Sequence, residues 1–134
     1  MSPVLVPVRY PISTHSRTTL ERAVELAEER DTTLIVLHVN LYQNGDQVTR
    51  GQLKRAVEQI VGRKPYIRYS IARGFLVEET ILEEVADEGA ETVVIGHKQI
   101  GRWRRTFNRL VDDPDVAEFL ERHVDCEVEV VKPA

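Results

Sequence analysis

Hydrophobic residues recur along this chain in two rhythms, one suited to strands and one to helices. Val4–Val8 is a continuous apolar run and reads as a first strand, although Pro7 inside it cannot donate to a ladder. After the polar stretch 13–16, Leu20, Ala23, Val24 and Ala27 fall at i, i+3, i+4 and i+7, one face of a helix. Thr18 and Glu21 fit a capping box at its start. Leu34–Val39 is a near-continuous β-prone run, a second strand, followed by the turn signal Asn44-Gly45-Asp46. Leu53, Ala56, Val57 and Ile60 line a second helix, with Thr49 and Gln52 capping its start and Gly62 past its end. From Pro65 to Ala72 the chain alternates, with Ile67, Tyr69 and Ile71 on one side and Arg68 and Ser70 on the other.

Gly74 then breaks the chain before a third helix carrying Val77, Ile81, Leu82 and Val85, which Gly89 ends. Val93–Gly96 is a short fourth strand. A basic loop runs from His97 to about Arg109, and Asp113-Pro114 reads as an N-cap with proline at the first helical position. Val116, Phe119 and Leu120 give that fourth helix its buried side. Cys126–Val131 alternates again, with Glu127 and Glu129 on one face.

Strands alternating with helices predict an α/β fold, a three-layer, doubly wound, five-stranded parallel sheet with about four helices. Strands one, two and four are continuously apolar and belong in the middle; strands three and five alternate, as edges do. The order 3-2-1-4-5 satisfies all five. No repeat or linker interrupts residues 1–134, so one domain is expected.

Composition narrows the function. The formal net charge of −4 argues against a general nucleic-acid coat protein. Cys126 is the only cysteine, so neither an intrachain disulfide nor a cysteine-rich zinc site is available. The start lacks a signal-peptide pattern, and no apolar run approaches the ~20 residues of a membrane helix. A cytoplasmic protein with no membrane role is expected. The four histidines, at 15, 38, 97 and 123, form no close metal-binding pair, and no metal is expected. There is no GxSxG elbow, Walker A loop or GxGxxG after strand one. No catalytic constellation emerges, which favours a binding protein over an enzyme.

Ligands of open parallel sheets sit beyond the carboxyl ends of the strands, where the order reverses. Here that crevice lies between strands one and four. Arg9 follows strand one, Gly96, His97 and Lys98 close strand four, and Val39 lies alongside at the end of strand two. Arg9, His97 and Lys98 would make the crevice cationic, suited to a phosphate or carboxylate. The competing reading is that these are solvated loop ends. His38 reads as a core or near-core residue at a strand end.

Taken in order, Val4–Val8, Leu26-Ala27 leading to Leu37-His38-Val39, Gly74 before Ile81-Leu82, the segment 91–97 and the closing 126–131 resemble the universal stress protein family over nearly the whole chain. The resemblance accounts for Pro7, since a proline in strand one recurs in that family. It implies ATP binding in many members, through an acidic residue after strand one and a glycine-rich phosphate loop after strand four. It also implies homodimers through strand five. This sequence departs from the ATP pattern. Arg9 stands at the acidic position, Gln99 at the second glycine, Arg109 and Leu110 at the final Gly-Ser, and Gly101 is out of register. Only Gly96 is kept.

The expected function is therefore a universal-stress-type regulatory or binding protein without ATP in the standard mode and without another cofactor. It would take a small anionic ligand or a protein partner at the Arg9, Val39, Gly96, His97, Lys98 crevice, and would dimerise through strand five. Glu127 and Glu129 complicate that dimer by like-charge contact. Two alternatives stand beside it. One is an adenine-nucleotide-binding stress protein or weak ATPase. The other is a nucleic-acid module using Arg102-Trp103-Arg104-Arg105, Phe107 and Arg109, which the acidic whole disfavours.

Overall fold

The computed structural model describes residues 2–45, 47–96 and 127–131. The basic loop, the fourth helix and Cys126 lie outside the described residues. Eight elements follow in order: β1 (Val4–Pro7), α1 (Thr14–Arg30), β2 (Leu34–Leu41), α2 (Arg50–Val61), β3 (Ile67–Gly74), α3 (Val77–Glu88), β4 (Thr92–Gly96) and β5 (Glu127–Val131). They form one five-stranded parallel sheet in the order β3-β2-β1-β4-β5. The central and edge strands are those that the apolar pattern assigned.

Side-chain parity divides the interior into two layers. Val4, Val6, Val8, Leu34, Val36, Ile67, Tyr69 and Val94 face α1 and α2, where Leu20, Ala23, Leu53 and Val57 meet them. Leu5, Ile35, Leu37, Ala72, Val93 and Ile95 face α3 through Ile81, Leu82 and Val85. Leu5, Leu20, Ile35, Leu53 and Ile81 are fully buried, and each such side chain contributes about 1.5–3 kcal/mol relative to exposure.

The helix ends show how local sequence fixes the elements. The Thr49–Gln52 capping box is fully formed, Gln52 N donating to Thr49 Oγ1 at 3.2 Å and Thr49 N to Gln52 Oε1 at 2.8 Å. Gly89 ends α3 in the left-handed region at φ 64°, a conformation that costs glycine little. The start of α1 corrects the sequence reading. Ser13, not Thr18, is the N-cap, and its hydroxyl accepts from Ser16 N at 3.2 Å. Thr18 and Thr19 lie inside the helix and donate back to Thr14 O and His15 O. A cluster of Ser and Thr offers several cap positions, and the earliest one wins because it adds a further turn of helix.

β2 and β3 also run longer than their apolar stretches, to Leu41 and Gly74. Asn40 hides the extension of β2, because a polar residue in a strand reads as a loop. Its buried carboxamide donates to Val48 O at 2.8 Å and accepts from Val48 N at 3.0 Å, pinning the following connection.

Candidate functional site

Parallel strands send hydrogen bonds to their two neighbours from alternate residues. Val4 N donates to Thr33 O at 3.0 Å and Val8 N to Leu37 O at 2.8 Å, so the even residues of β1 face β2. Leu5 and Pro7 therefore face β4. The β1–β4 register runs Val4↔Thr92, Leu5↔Val93 and stops. Pro7, two residues on, has no N–H to continue it. The hydrogen-bonded ladder between β1 and β4 thus ends short of their carboxyl ends. β2 continues past Leu37, the partner of Pro7, to Leu41, which pairs with Gly74. At ~3.3 Å per residue, β2 and β3 rise ~13 Å above the end of β1 and wall the crevice on one side.

Arg9 and Tyr10 leave β1 exposed to solvent, and the Tyr10–Pro11 peptide bond is cis. Gly96, half-buried, ends β4. A Cβ on Gly96 would lie 3.4 Å from Thr19 Oγ1, an ordinary contact. Packing among the described residues does not demand glycine there. Val39 is half-buried against the α3-side core. Of the five crevice residues, the structure places Arg9 just past the end of β1 and Gly96 at the end of β4, whereas Val39, expected at the end of β2, lies inside that strand, two residues before its end at Leu41. His97 and Lys98, like Gln99, Gly101, Arg109 and Leu110, lie outside the described residues.

His38 joins two strands. Its Nδ1 is 3.0 Å from Val8 O. A carbonyl only accepts, so Nδ1 carries the hydrogen and Nε2 of the neutral ring is an acceptor. Tyr10 meets the imidazole edge-on, centroids 6.4 Å apart at 71°. The half-buried His38 thereby ties the end of β1 to β2; it is near the core as expected, but inside β2 rather than at its end, because the strand runs on to Leu41. Sequence reasoning missed the opposite parities of Pro7 and Val8, since neither is visible without the register. A proline in an otherwise apolar central run was the available signal.

The amino-terminal end of the sheet carries a second feature, an open cavity of about 460 Å³ lined by Ala27, Glu28, Asp31, Thr32, Thr33 and Tyr66. Tyr66 Oη donates to Glu28 Oε1 at 2.5 Å, and Lys64 Nζ lies 3.2 Å from the same oxygen. Partial burial and this carboxylate push the Tyr66 hydroxyl well above its ordinary range. The Tyr66 and Lys64 hydrogen bonds hold Glu28 below the usual carboxylate value. Parallel sheets bind ligands at the other end, and Glu28, Lys64 and Tyr66 already partner one another. Among the described residues there is no cluster of His, Cys, Asp and Glu able to hold a metal, and no helix long and apolar enough to cross a membrane.

No protein-family model matches the chain, and no curated protein does. Solved structures do. A universal stress protein in complex with cAMP superposes with a TM-score of 0.60 at 14% identity, over 100% of both chains. The universal stress protein from Archaeoglobus fulgidus in complex with dAMP gives 0.61 at 18%, over 98% of each chain. A protein of the universal stress protein family from Burkholderia pseudomallei gives 0.61 at 20%, over 99% of this chain and 96% of its own. At these identities the likeness shows the fold: the chain is built as the universal stress proteins are.

Proposed function

We propose that the chain is a divergent universal stress protein that works by binding rather than catalysis, with its ligand in the crevice between β1 and β4. The observation that carries this reading is the early end of the β1–β4 ladder at Leu5↔Val93, with Pro7 turned towards β4. That break in the ladder falls at the switch point of the sheet, where open parallel sheets bind ligands. Arg9 at one lip and Gly96 at the other suit an anion, and His97 and Lys98 follow Gly96 in sequence to add charge. Two structures of this fold hold adenine nucleotides, cAMP and dAMP. In this chain the loss of the phosphate-loop glycines and the change to Arg9 disfavour ATP in the standard mode.

The reading includes a homodimer through β5. Arg22 Nε lies 2.6 Å from Glu129 Oε1 and joins α1 to β5. This pair neutralises a glutamate that would otherwise oppose its own copy across a two-fold edge.

A thermal-shift titration tests the proposal, using ATP with Mg²⁺, cAMP and inorganic phosphate as separate probes. Expected is saturable stabilisation by cAMP or phosphate that Arg9→Ala weakens at least tenfold, with ATP giving no more than phosphate does. Stabilisation specific to ATP would restore the standard mode. Stabilisation indifferent to Arg9→Ala would move the ligand away from the crevice.

A further inference from the structure

Three of the four exposed large apolar side chains of the described residues gather at one place; the fourth, Tyr10, lies against His38. Tyr42 is 57% exposed, Phe75 69% and Leu76 39%. Tyr42 follows β2 and Phe75 follows β3, and their rings touch, centroids 4.9 Å apart. The backbone beneath them is fixed. Tyr42 N donates to Gly74 O at 3.0 Å, and Gln43 Nε2 to Phe75 O at 3.0 Å. The patch is thus pre-formed, and little order remains to be gained when something covers it. Aromatic side chains held rigidly at a surface are the commonest anchors of protein interfaces.

Leu76 adds to this. It occupies the N-cap position of α3 and makes no side-chain cap bond. Ser, Thr, Asp or Asn there would satisfy the first amides of the helix. The chain forgoes that stabilisation and exposes a leucine. Local rules broken without a compensating gain in stability mark functional positions.

The helix that starts beside the patch says what covers it. α3, VEETILEEVADE, carries six acidic residues and no basic one. Glu79, Glu83 and Asp87 fall at i, i+4 and i+8, one stripe on the solvent side. Among the described residues only Glu88 of this helix has an ion pair, with Arg68 at 3.2 Å. Part-desolvation and the charges of Glu79 and Asp87 push the Glu83 carboxyl up, so the three carboxylates feel one another. Like charges at this spacing destabilise a helix. A cationic partner would remove the repulsion; a nucleic acid or an anionic membrane would add to it.

We propose that Tyr42, Phe75 and Leu76, continued by the stripe Glu79, Glu83 and Asp87, form the docking surface for a basic segment of a partner protein that carries an aromatic anchor. The anchor packs on the Tyr42–Phe75 pair, and the cations lie along α3. This surface shares no residue with the crevice and does not rest on its ligand.

Fluorescence anisotropy with the whole chain tests it. The probe is a labelled peptide, acetyl-KWKKFKK-amide, with an acidic counterpart, acetyl-EWEEFEE-amide, as control. The basic peptide is expected to bind and the acidic one not. Phe75→Ala with Tyr42→Ala weakens binding at least tenfold at any salt concentration. Glu79→Gln with Glu83→Gln and Asp87→Asn weakens it and flattens its salt dependence, with far-ultraviolet circular dichroism unchanged. No binding by the wild-type chain, or binding that either set of substitutions leaves unchanged, overturns the proposal. So does self-association of the wild type that Phe75→Ala abolishes in sedimentation velocity, because a second copy would then be the occupant.

Discussion

Two glycines at strand ends show how differently the same residue is required. A Cβ on Gly74 would collide with the Thr80 hydroxyl, which donates to Leu76 O at 2.7 Å. The β3–α3 junction can close only without that methyl. Gly74→Ala is therefore expected to cost about 1–3 kcal/mol, as overpacking does, and Thr80→Ala in the same chain to recover part of it. Gly96→Ala meets only the ordinary 3.4 Å contact with Thr19 Oγ1. It is expected to change stability by less than about 0.5 kcal/mol while weakening whatever the crevice binds. Urea denaturation of the three variants checks both statements; equal losses at Gly74 and Gly96 would contradict them. Gly74 was legible as a break before a helix, because glycine there interrupts a β-prone run. Its reason was not, since Thr80 approaches only once α3 folds back. Ser13 shows the same limit: a cap is legible as chemistry, but the choice among neighbouring Ser and Thr is made by the whole turn.

Among the elements, α3 stands out for its charge. Its apolar face was plain in Val77, Ile81, Leu82 and Val85, and these pack as the spacing predicts. The cost of its other face lies in side-chain neighbours three and four residues apart. Part-desolvation and the surrounding carboxylates push Glu83 and Glu84 up from the ordinary value. The folded chain therefore holds these protons more tightly than the unfolded chain. Their contribution to stability falls as pH rises through the interval between the unfolded and folded values. Glu83→Gln with Glu84→Gln is expected to raise stability at neutral pH by about 0.5 kcal/mol. That gain should vanish near pH ~4, where the native glutamates are also protonated. Glu28 has the opposite sign. Its value is lowered by Tyr66 and Lys64, so its stabilisation is present above the unfolded value and is lost as pH falls through the folded one. Glu28→Gln should then lower stability at neutral pH. Melting curves at the two pH values separate the effects, and a Glu83/Glu84 gain persisting at low pH would show that charge is not its cause.

For the molecule as a whole, the strand order was legible because burial on both faces leaves a different imprint from burial on one. Val4–Val8, Leu34–Leu37 and Val93–Ile95 are apolar throughout, whereas Ile67–Ile71 and Glu127–Val131 alternate, and the sheet arranges them accordingly. The site was legible only as a location. The switch point follows from the order, but the end of the β1–β4 ladder before Pro7 and the hydrogen bond from His38 to Val8 depend on which way each amide points. The β5 edge sharpens in a similar way. In sequence, Glu129 looked like an obstacle to pairing β5 with its copy. In the fold, Arg22 holds it at 2.6 Å and also reaches Glu25 at 2.9 Å. If β5 forms the dimer, Arg22→Ala leaves Glu129 uncompensated at the interface and shifts association towards the 15.3 kDa chain. Adding Glu129→Gln removes the charge as well and should restore the dimer, although the ion pair is still missing. Sedimentation velocity across a concentration series reads both outcomes. A chain that stays dimeric with Arg22→Ala joins its copies elsewhere, and one that the second substitution fails to rescue needs Arg22 for more than its charge.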